Sequence, residues 1–346
     1  MAPVFFPLDQ QLILAGSHWS EGLTKLAVWL SGLVDFTSAA EILQQVGQMT
    51  VSTTTVWRLT QAWGERFQGI TETERAQANQ VRGSRPRARQ SETQRPRLGV
   101  AMDGVMIHIR QEGWKEVKMG CVFELGTRVE VDKQTGDELE LAQACHNSYV
   151  SHLGGPEVFG ELLWAEAQRR DWDSASATQV IGDGAPWVWN LTGTHFYHSH
   201  QVVDWYHGTE HLALAARLLY GEGTPAMQHF YRQWETTLYQ GHALRLATQL
   251  EALADQQPKI ASELRREAGY FGHNYRRMNY LELRSEGWVI GSGMVESAGK
   301  QLKARLAGPG MQWSRSGAER LLPLRTAIMG GRFDELWQCA RNSPPN

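Results

Sequence analysis

The chain has 346 residues, of which 42% are hydrophobic and 21% charged, the composition of an ordinary globular protein large enough for two or three domains. No apolar run reaches the roughly 18 residues a membrane helix needs, so no membrane partner is expected. A net charge of −3 excludes an all-over basic coat, and three widely spaced cysteines exclude a disulfide framework or a Cys-x-x-Cys motif.

The N-terminal MAPVFFPLDQQLILAG lacks a basic start and carries Asp9 early, so it reads as a poor signal peptide, and a reducing cytoplasm is expected. Residues 1–70 read as an all-helical domain. Within it, about 38–67 has the outline of a helix-turn-helix. Ser38 caps a short helix bearing Ala39, Ile42, Leu43 and Val46, Gly47 turns the chain, and Ser52 caps a second helix with Val56, Leu59 and Trp63 at helical spacing. Thr53, Thr54, Arg58 and Gln61 fall on its outer face, able to meet phosphates or base edges, although a plain helical hairpin gives the same pattern. Residues 71–97 hold seven arginines against three glutamates and read as a basic Arg/Pro-rich linker, with Arg85, Arg87 and Arg89 suited to gripping a polyanion.

After the linker the pattern changes. LGVAMDGVMIHIR (98–110) is apolar on both faces, as a central strand should be, and 114–125 continues as a second strand. Strand-like residues recur at 145–150, a helix with an early proline follows at 156–170, and TQVIGDG and HQVVDW (200–205) read as further strands. Residues 221–285 are helical in pattern throughout. The expectation is an α/β core over 98–220 and 286–346, interrupted by an all-helical insertion and ending in C-terminal helices.

Three acids stand out. Asp103 lies in the middle of the first core strand, and Asp183 follows a strand between two glycines. Glu296 sits in a helix capped by Ser292, with Val295, Ala298, Leu302 and Leu306 as its buried stripe and Lys300 and Lys303 beside the acid. Residues 300–325 hold six basic side chains against one acid. Two strand aspartates and a helix glutamate are the hard-oxygen ingredients of a two-metal site for phosphoryl transfer, with Asp103 the candidate to bridge both ions. Singly, each also reads as a salt-bridged or turn-capping carboxylate.

The blocks GDGAPWVWNL, DWYHGTEHL and SGMVESAGKQLKARLAGPGMQW, with AMDGVMI and WKEVKMG ahead of them, resemble the signature blocks of ISKra-type insertion-sequence transposases over about residues 98–330. The resemblance implies an RNase H-like catalytic core, related to those of Mutator-like and hAT-like transposases. It implies a DDE triad of Asp103, Asp183 and Glu296 holding two Mg²⁺ or Mn²⁺ ions. It also implies double-stranded DNA partners (the element's terminal repeats and a target), and a homodimer or higher oligomer on DNA in the nucleoid. Asp204 and His207 are similar to the (Cys/Asp)-x-x-His step of these relatives, and read as supporting the metal-holding acids rather than holding the metal, where the strand beside Asp183 ends and a helix starts. On this reading Lys300, Lys303, Arg305 and Arg315 meet phosphates, and Trp187, Trp288 and Trp313 are candidates to stack on an unpaired base.

HGTEH (207–211) competes, because it matches the H-x-x-E-H pattern of zinc metallopeptidases, with Glu282 or Glu286 as a third ligand. A DNA-binding regulator or an inactive transposase relic, in which only the helix-turn-helix works, is the other alternative. A glycosidase with paired carboxylates fits worse, since the basic face beside Glu296 does not suit a neutral sugar.

Overall fold

The structure is a computed structural model that describes residues 19–80, 95–131 and 138–342. Arg85, Arg87 and Arg89, and the N-terminal residues read as a poor signal peptide, lie outside the described residues.

Helices α1 (Glu21–Leu33), α2 (Phe36–Gln45) and α3 (Thr53–Gln80) open the described chain. The cap of α2 is Asp35, not Ser38: its Oδ1 accepts from the backbone N–H groups of Thr37 and Ser38, and the Ser38 hydroxyl donates to Oδ2 at 2.6 Å. The helix therefore starts before the expected cap. In the turn, the left-handed residue is Gln48 (φ 53°) rather than Gly47. Ser52 does cap α3, accepting from Thr55 N–H at 3.2 Å. The basic linker does not begin at 71, because TETERAQANQ continues α3 to Gln80. That segment is rich in good helix formers, and Arg75 pairs with Glu72 at (i, i+3) and with Glu161.

The sheet has the order β3-β2-β1-β4-β5, built from β1 (Leu98–Ile109), β2 (Gly113–Val131), β3 (Glu138–His152), β4 (Thr178–Gly182) and β5 (His200–Val203). β1–β2 and β2–β3 are antiparallel, and β1–β4 and β4–β5 are parallel, so the fold is mixed α/β. β2 and β3 outrun their expected limits because their far halves pair only with each other, out to Val131 opposite Glu138. The crossovers are α4 (Pro156–Arg169) and α5 (Pro186–His195), each with proline in its first turn. After β5 come α6 (Trp205–Tyr220), α7 (Pro225–Tyr239), α8 (Ala243–Gln256), α9 (Ala261–Asn274) and α10 (Tyr280–Ser285). The chain then returns to the sheet as α11 (Gly293–Leu306), α12 (Arg315–Met329) and α13 (Phe333–Asn342).

The pleat sorts β1 onto two cores. Ala101, Val105, Ile107 and Ile109 pack with Val295, Ala298 and Leu302 of α11, while Leu98, Val100 and Met102 pack with Phe159 and Leu163 of α4 and Val188 of α5. The N-terminal helices join the first of these. Trp63 stacks on Trp337 with ring centroids 3.6 Å apart, and Phe67 meets Phe333. The insertion packs with α6 around a core of its own, in which Leu212, Phe230, Leu250, Leu264 and Phe271 pack together and touch the sheet through Val203. Among the described residues no helix is long and apolar enough to cross a membrane.

Candidate active site

Strand register brings three aspartates side by side. The last pair between β1 and β4 is Met102 with Gly182, and the last between β4 and β5 is Gly182 with Val203. The next residue of each strand is an aspartate: Asp103, Asp183 and Asp204. They line the place where the parallel strands part, the carboxyl end at which open sheets collect ligands. Asp103 lies on the face covered by α11. That helix approaches β1 at Gly299, where a Cβ would stand 3.1 Å from Val105 Cγ2 and 4.0 Å from Asp103 Oδ2. Glu296, one turn earlier, is thereby brought to the aspartates, with its Oε1 accepting from the Ser292 hydroxyl at 3.1 Å.

Each carboxylate is held differently. Asp103 Oδ1 accepts from Gly104 N–H at 2.7 Å, and Asp183 Oδ1 from Ala185 N–H at 2.8 Å. Asp204, fully buried, caps α6: its Oδ1 accepts from His207 N–H and lies 3.1 Å from His207 Nδ1, while Oδ2 accepts from Ser292 N–H. One carboxylate thus ties the starts of α6 and α11 together. Burial, with the negative charges of Asp183 and Glu296, holds the Asp103 carboxyl above its ordinary range, against the pull of the Gly104 amide and of His207. Asp204 goes the other way, since its hydrogen bonds from His207 and Ser292 outweigh a large burial penalty. The hydrogen bond to Asp204 raises His207 to about 9, with the charges of Asp204 and Asp183 adding to it, so its ring is a cation at neutral pH.

Asp204, His207 and Glu296 offer ligand atoms all within 4.8 Å of one another, the one such group of three among the described residues. Asp103 and Asp183 border it without joining it. Converging carboxylates that repel one another and raise the Asp103 pKa are a donor set suited to a hard divalent cation such as Mg²⁺ or Mn²⁺. The residues that could hold one are Asp103, Asp183, Asp204 and Glu296. The two histidines of HGTEH serve different carboxylates: His207 faces Asp204, whereas His211 Nδ1 lies 2.6 Å from Glu267 Oε2 and its ring stacks on Tyr270. Neither His211 nor Glu210 enters the group of three.

The residues expected to meet DNA divide sharply. Thr53, Thr54 and Arg58 are exposed at the start of α3, and Lys300 and Lys303 are exposed on α11 with no ion pair among the described residues. Four expectations are corrected. Gln61 is 7% exposed, turned toward α12 rather than outward. Arg305 is 1% exposed because it continues the buried stripe of Ala298 and Leu302. Its Nε donates to Ser31 O at 2.6 Å, and burial lowers its guanidinium pKa to about 10. Trp313 is buried, its indole N–H donating to Leu306 O and its ring edge-on to Phe36. Trp288 is buried under the Arg97 guanidinium, 3.7 Å from its ring centroid, with His200 also against it. Arg315 is half-exposed, but its charge is matched by Glu112 and Glu319. Trp187 stays half-buried with Lys118 Nζ 4.1 Å from its ring centroid.

Two features escaped the sequence reading, and a third was under-read: Asp204, expected only to support the acids, stands at the same register as Asp103 and Asp183, which needed the strand pairing. Trp57, 46% exposed beside Arg58, needed the face of α3. Tyr270, from the insertion, donates its hydroxyl to the Asp183 carbonyl at 3.0 Å and carried no motif at all. The fold and site together define a mixed α/β protein with a carboxylate cluster at the open end of its parallel strands. No family model matches the chain, and no curated protein matches it.

Proposed function

We propose that the chain is the DDE transposase of an insertion sequence, cutting DNA at the element's ends and joining the freed ends to target DNA from an RNase H-like core. One observation carries the reading: Asp103, Asp183 and Glu296, from three distant segments, converge at the carboxyl end of a parallel strand set, with Asp204 completing the cluster. A central β1 with an antiparallel hairpin on one side and two parallel strands on the other supports the RNase H-like assignment.

Asp103, Asp183, Asp204 and Glu296 would hold divalent ions, which when bound would supply activation of a water or 3′-hydroxyl and neutralisation of the leaving oxygen. The chain's own part is positional. Asp204 fixes α6 against α11, and Gly299 lets α11 bring Glu296 to the strands. Lys300 and Lys303 lie along α11, which runs about 14 Å from Glu296 to Arg305 at 1.5 Å per residue. Arg305 then docks on the end of α1, so the exposed lysines lead from the acids toward the unit that presents Thr53, Thr54 and Arg58. Such a path suits a duplex whose phosphates position it while the helix-turn-helix reads its bases. Two ends must be processed together, so a homodimer or larger assembly forms on DNA, in the cytoplasm at the nucleoid.

The test is cleavage of a labelled duplex bearing the element's own ends, with Mg²⁺, Mn²⁺, Zn²⁺ or EDTA, for the wild type beside Asp183→Ala. Nicking at the terminus that needs Mg²⁺ or Mn²⁺ and disappears in the variant is expected. End binding without nicking in any metal would leave a DNA-binding regulator or an inactive relic. Zinc-dependent peptide hydrolysis that His211→Ala abolishes would return the HGTEH reading.

A further inference from the structure

The helical insertion reaches into the acid cluster. Tyr270 of α9 donates to the carbonyl of Asp183 at 3.0 Å. The following Gly184 has φ +98°, a conformation L side chains rarely adopt, and a Cβ there would meet Tyr270 Cε2 at 2.8 Å and Asn274 Nδ2 at 3.2 Å. The turn after β4 is therefore pressed against the phenol ring.

The ring is itself fixed from behind. It lies on the His211 imidazole with centroids 3.6 Å apart and planes within 20°, and His211 Nδ1 is 2.6 Å from Glu267 Oε2. Glu267 is buried on α9 and also takes Arg266 Nε at 3.0 Å. Two helices on opposite sides of the insertion boundary, α6 and α9, thus hold one aromatic ring. Burial and the negative charges of Asp183, Asp204 and Glu267 push the phenol pKa far up, so the hydroxyl remains a donor. Asp183 commits one carboxylate oxygen to its own turn through Ala185 N–H, so the conformation of that turn decides where the other oxygen points.

We propose that Tyr270 is a positioning residue of the acid cluster: it locks the Asp183–Gly184 turn, and through it the helical insertion sets how tightly the site holds a divalent cation. The inference rests on the reading of Asp183 as a metal-holding acid. The insertion is then a part of the site, contributed from about ninety residues downstream of the aspartate it orients.

The experiment uses the full chain with Tyr270→Phe, which removes only the hydroxyl, His211→Leu, which removes the ring's support, and Tyr231→Phe as a control phenol that bonds Glu235 within α7. Amide hydrogen exchange is followed over residues 183–188 and over α8. Mn²⁺ binding is followed by electron paramagnetic resonance without DNA, and nicking of supercoiled plasmid is titrated with Mg²⁺. Tyr270→Phe is expected to speed exchange over 183–188 alone, weaken Mn²⁺ binding about tenfold, and raise the half-saturating Mg²⁺ similarly, with the rate at saturating metal little changed. His211→Leu should follow in the same direction, and Tyr231→Phe should match the wild type. Unchanged exchange over 183–188 overturns the inference, as does faster exchange with unaltered Mn²⁺ affinity. Failure of the underlying reading looks different, because then the wild type itself binds no Mn²⁺ and nicks nothing, and the inference falls with it.

Discussion

Two all-helical units flank the sheet and are joined to it by different chemistry. The N-terminal unit has a small cluster of its own around Ala27, Leu43 and Val56 but also enters the sheet's apolar core: Trp63 and Phe67 belong to the same cluster as Val105 and Met119, and buried arginines of α11 and α12 bond the carbonyls that end α1. Arg332 adds ion pairs to Glu74 of α3 and Glu166 of α4. The insertion keeps a separate core and reaches the sheet's open edge with polar groups, Tyr270 on Asp183 and Arg277 on Gln201. A shared core makes the first unit one cooperative body with the sheet, and hence a rigid mount for a DNA-reading face. A largely separate core, which touches the sheet through Val203 and a few hydrogen bonds, lets the second open on its own.

The largest effect is expected at the acid cluster itself. Asp103→Ala, Asp183→Ala and Glu296→Ala should each lower strand cleavage by about 10³-fold or more while leaving DNA binding and the melting temperature nearly intact. Relief of the repulsion around Asp103 should even favour folding slightly. Near-wild-type cleavage in any one of the three would remove that residue from the site.

The next largest effect separates the two helical units. Trp337→Ala deletes the indole stacked on Trp63 and should cost about 3–5 kcal/mol. Because the core is shared, native-state hydrogen exchange should rise together in α1, α3 and β1. Phe271→Ala, fully buried in the insertion's core, should cost a similar amount but raise exchange only in α6–α10. Equal spreading of both lesions through the whole chain would erase the distinction.

A smaller effect separates surface cations from buried ones. Lys300→Ala and Lys303→Ala should each weaken DNA binding and lower the slope of log affinity against log salt by about 1. Arg305→Ala should leave that slope alone and instead destabilise the fold, since its guanidinium bonds Ser31 O and lies over Phe36 and Trp313. A salt slope that falls with Arg305→Ala would show that the helix rolls outward on DNA.

Much of this was legible because it is local. The strand character of β1, the order of strands and crossovers, and the exposure of Thr53 and Arg58 all follow from period and composition. The errors share a cause. Asp35 displaced Ser38 because its Oδ1 accepts both the Thr37 and Ser38 amides while the Ser38 hydroxyl is itself engaged as a donor to Oδ2. Arg305 and Trp313 read as surface groups because their charge or size invites a ligand, yet the spacing of Ala298, Leu302 and Arg305 already placed the arginine on the buried stripe. Asp204 as an equal of Asp103 and Asp183 depends on register across three strands, and Tyr270 on the docking of a separately folded unit. Neither is written in any window of residues.

The smallest effect tests the joint between sheet and insertion, where Asp204 ends β5 and caps α6. His207, raised to about 9, gains stability from its charged form, so that contribution is complete below its unfolded value near 6.5 and is lost as pH rises through 9. Asp204 is lowered, so its share is complete above its ordinary value and is lost as pH falls through its depressed one. His207→Gln should therefore destabilise the metal-free protein by on the order of 1 kcal/mol between about pH 5 and 6.5, and progressively less toward pH 9 and above. Melting curves of the wild type and the variant in EDTA across that range measure it. A difference independent of pH would mean that the imidazole holds the start of α6 by packing, and that the ion pair with Asp204 contributes nothing to keeping the insertion seated on the sheet.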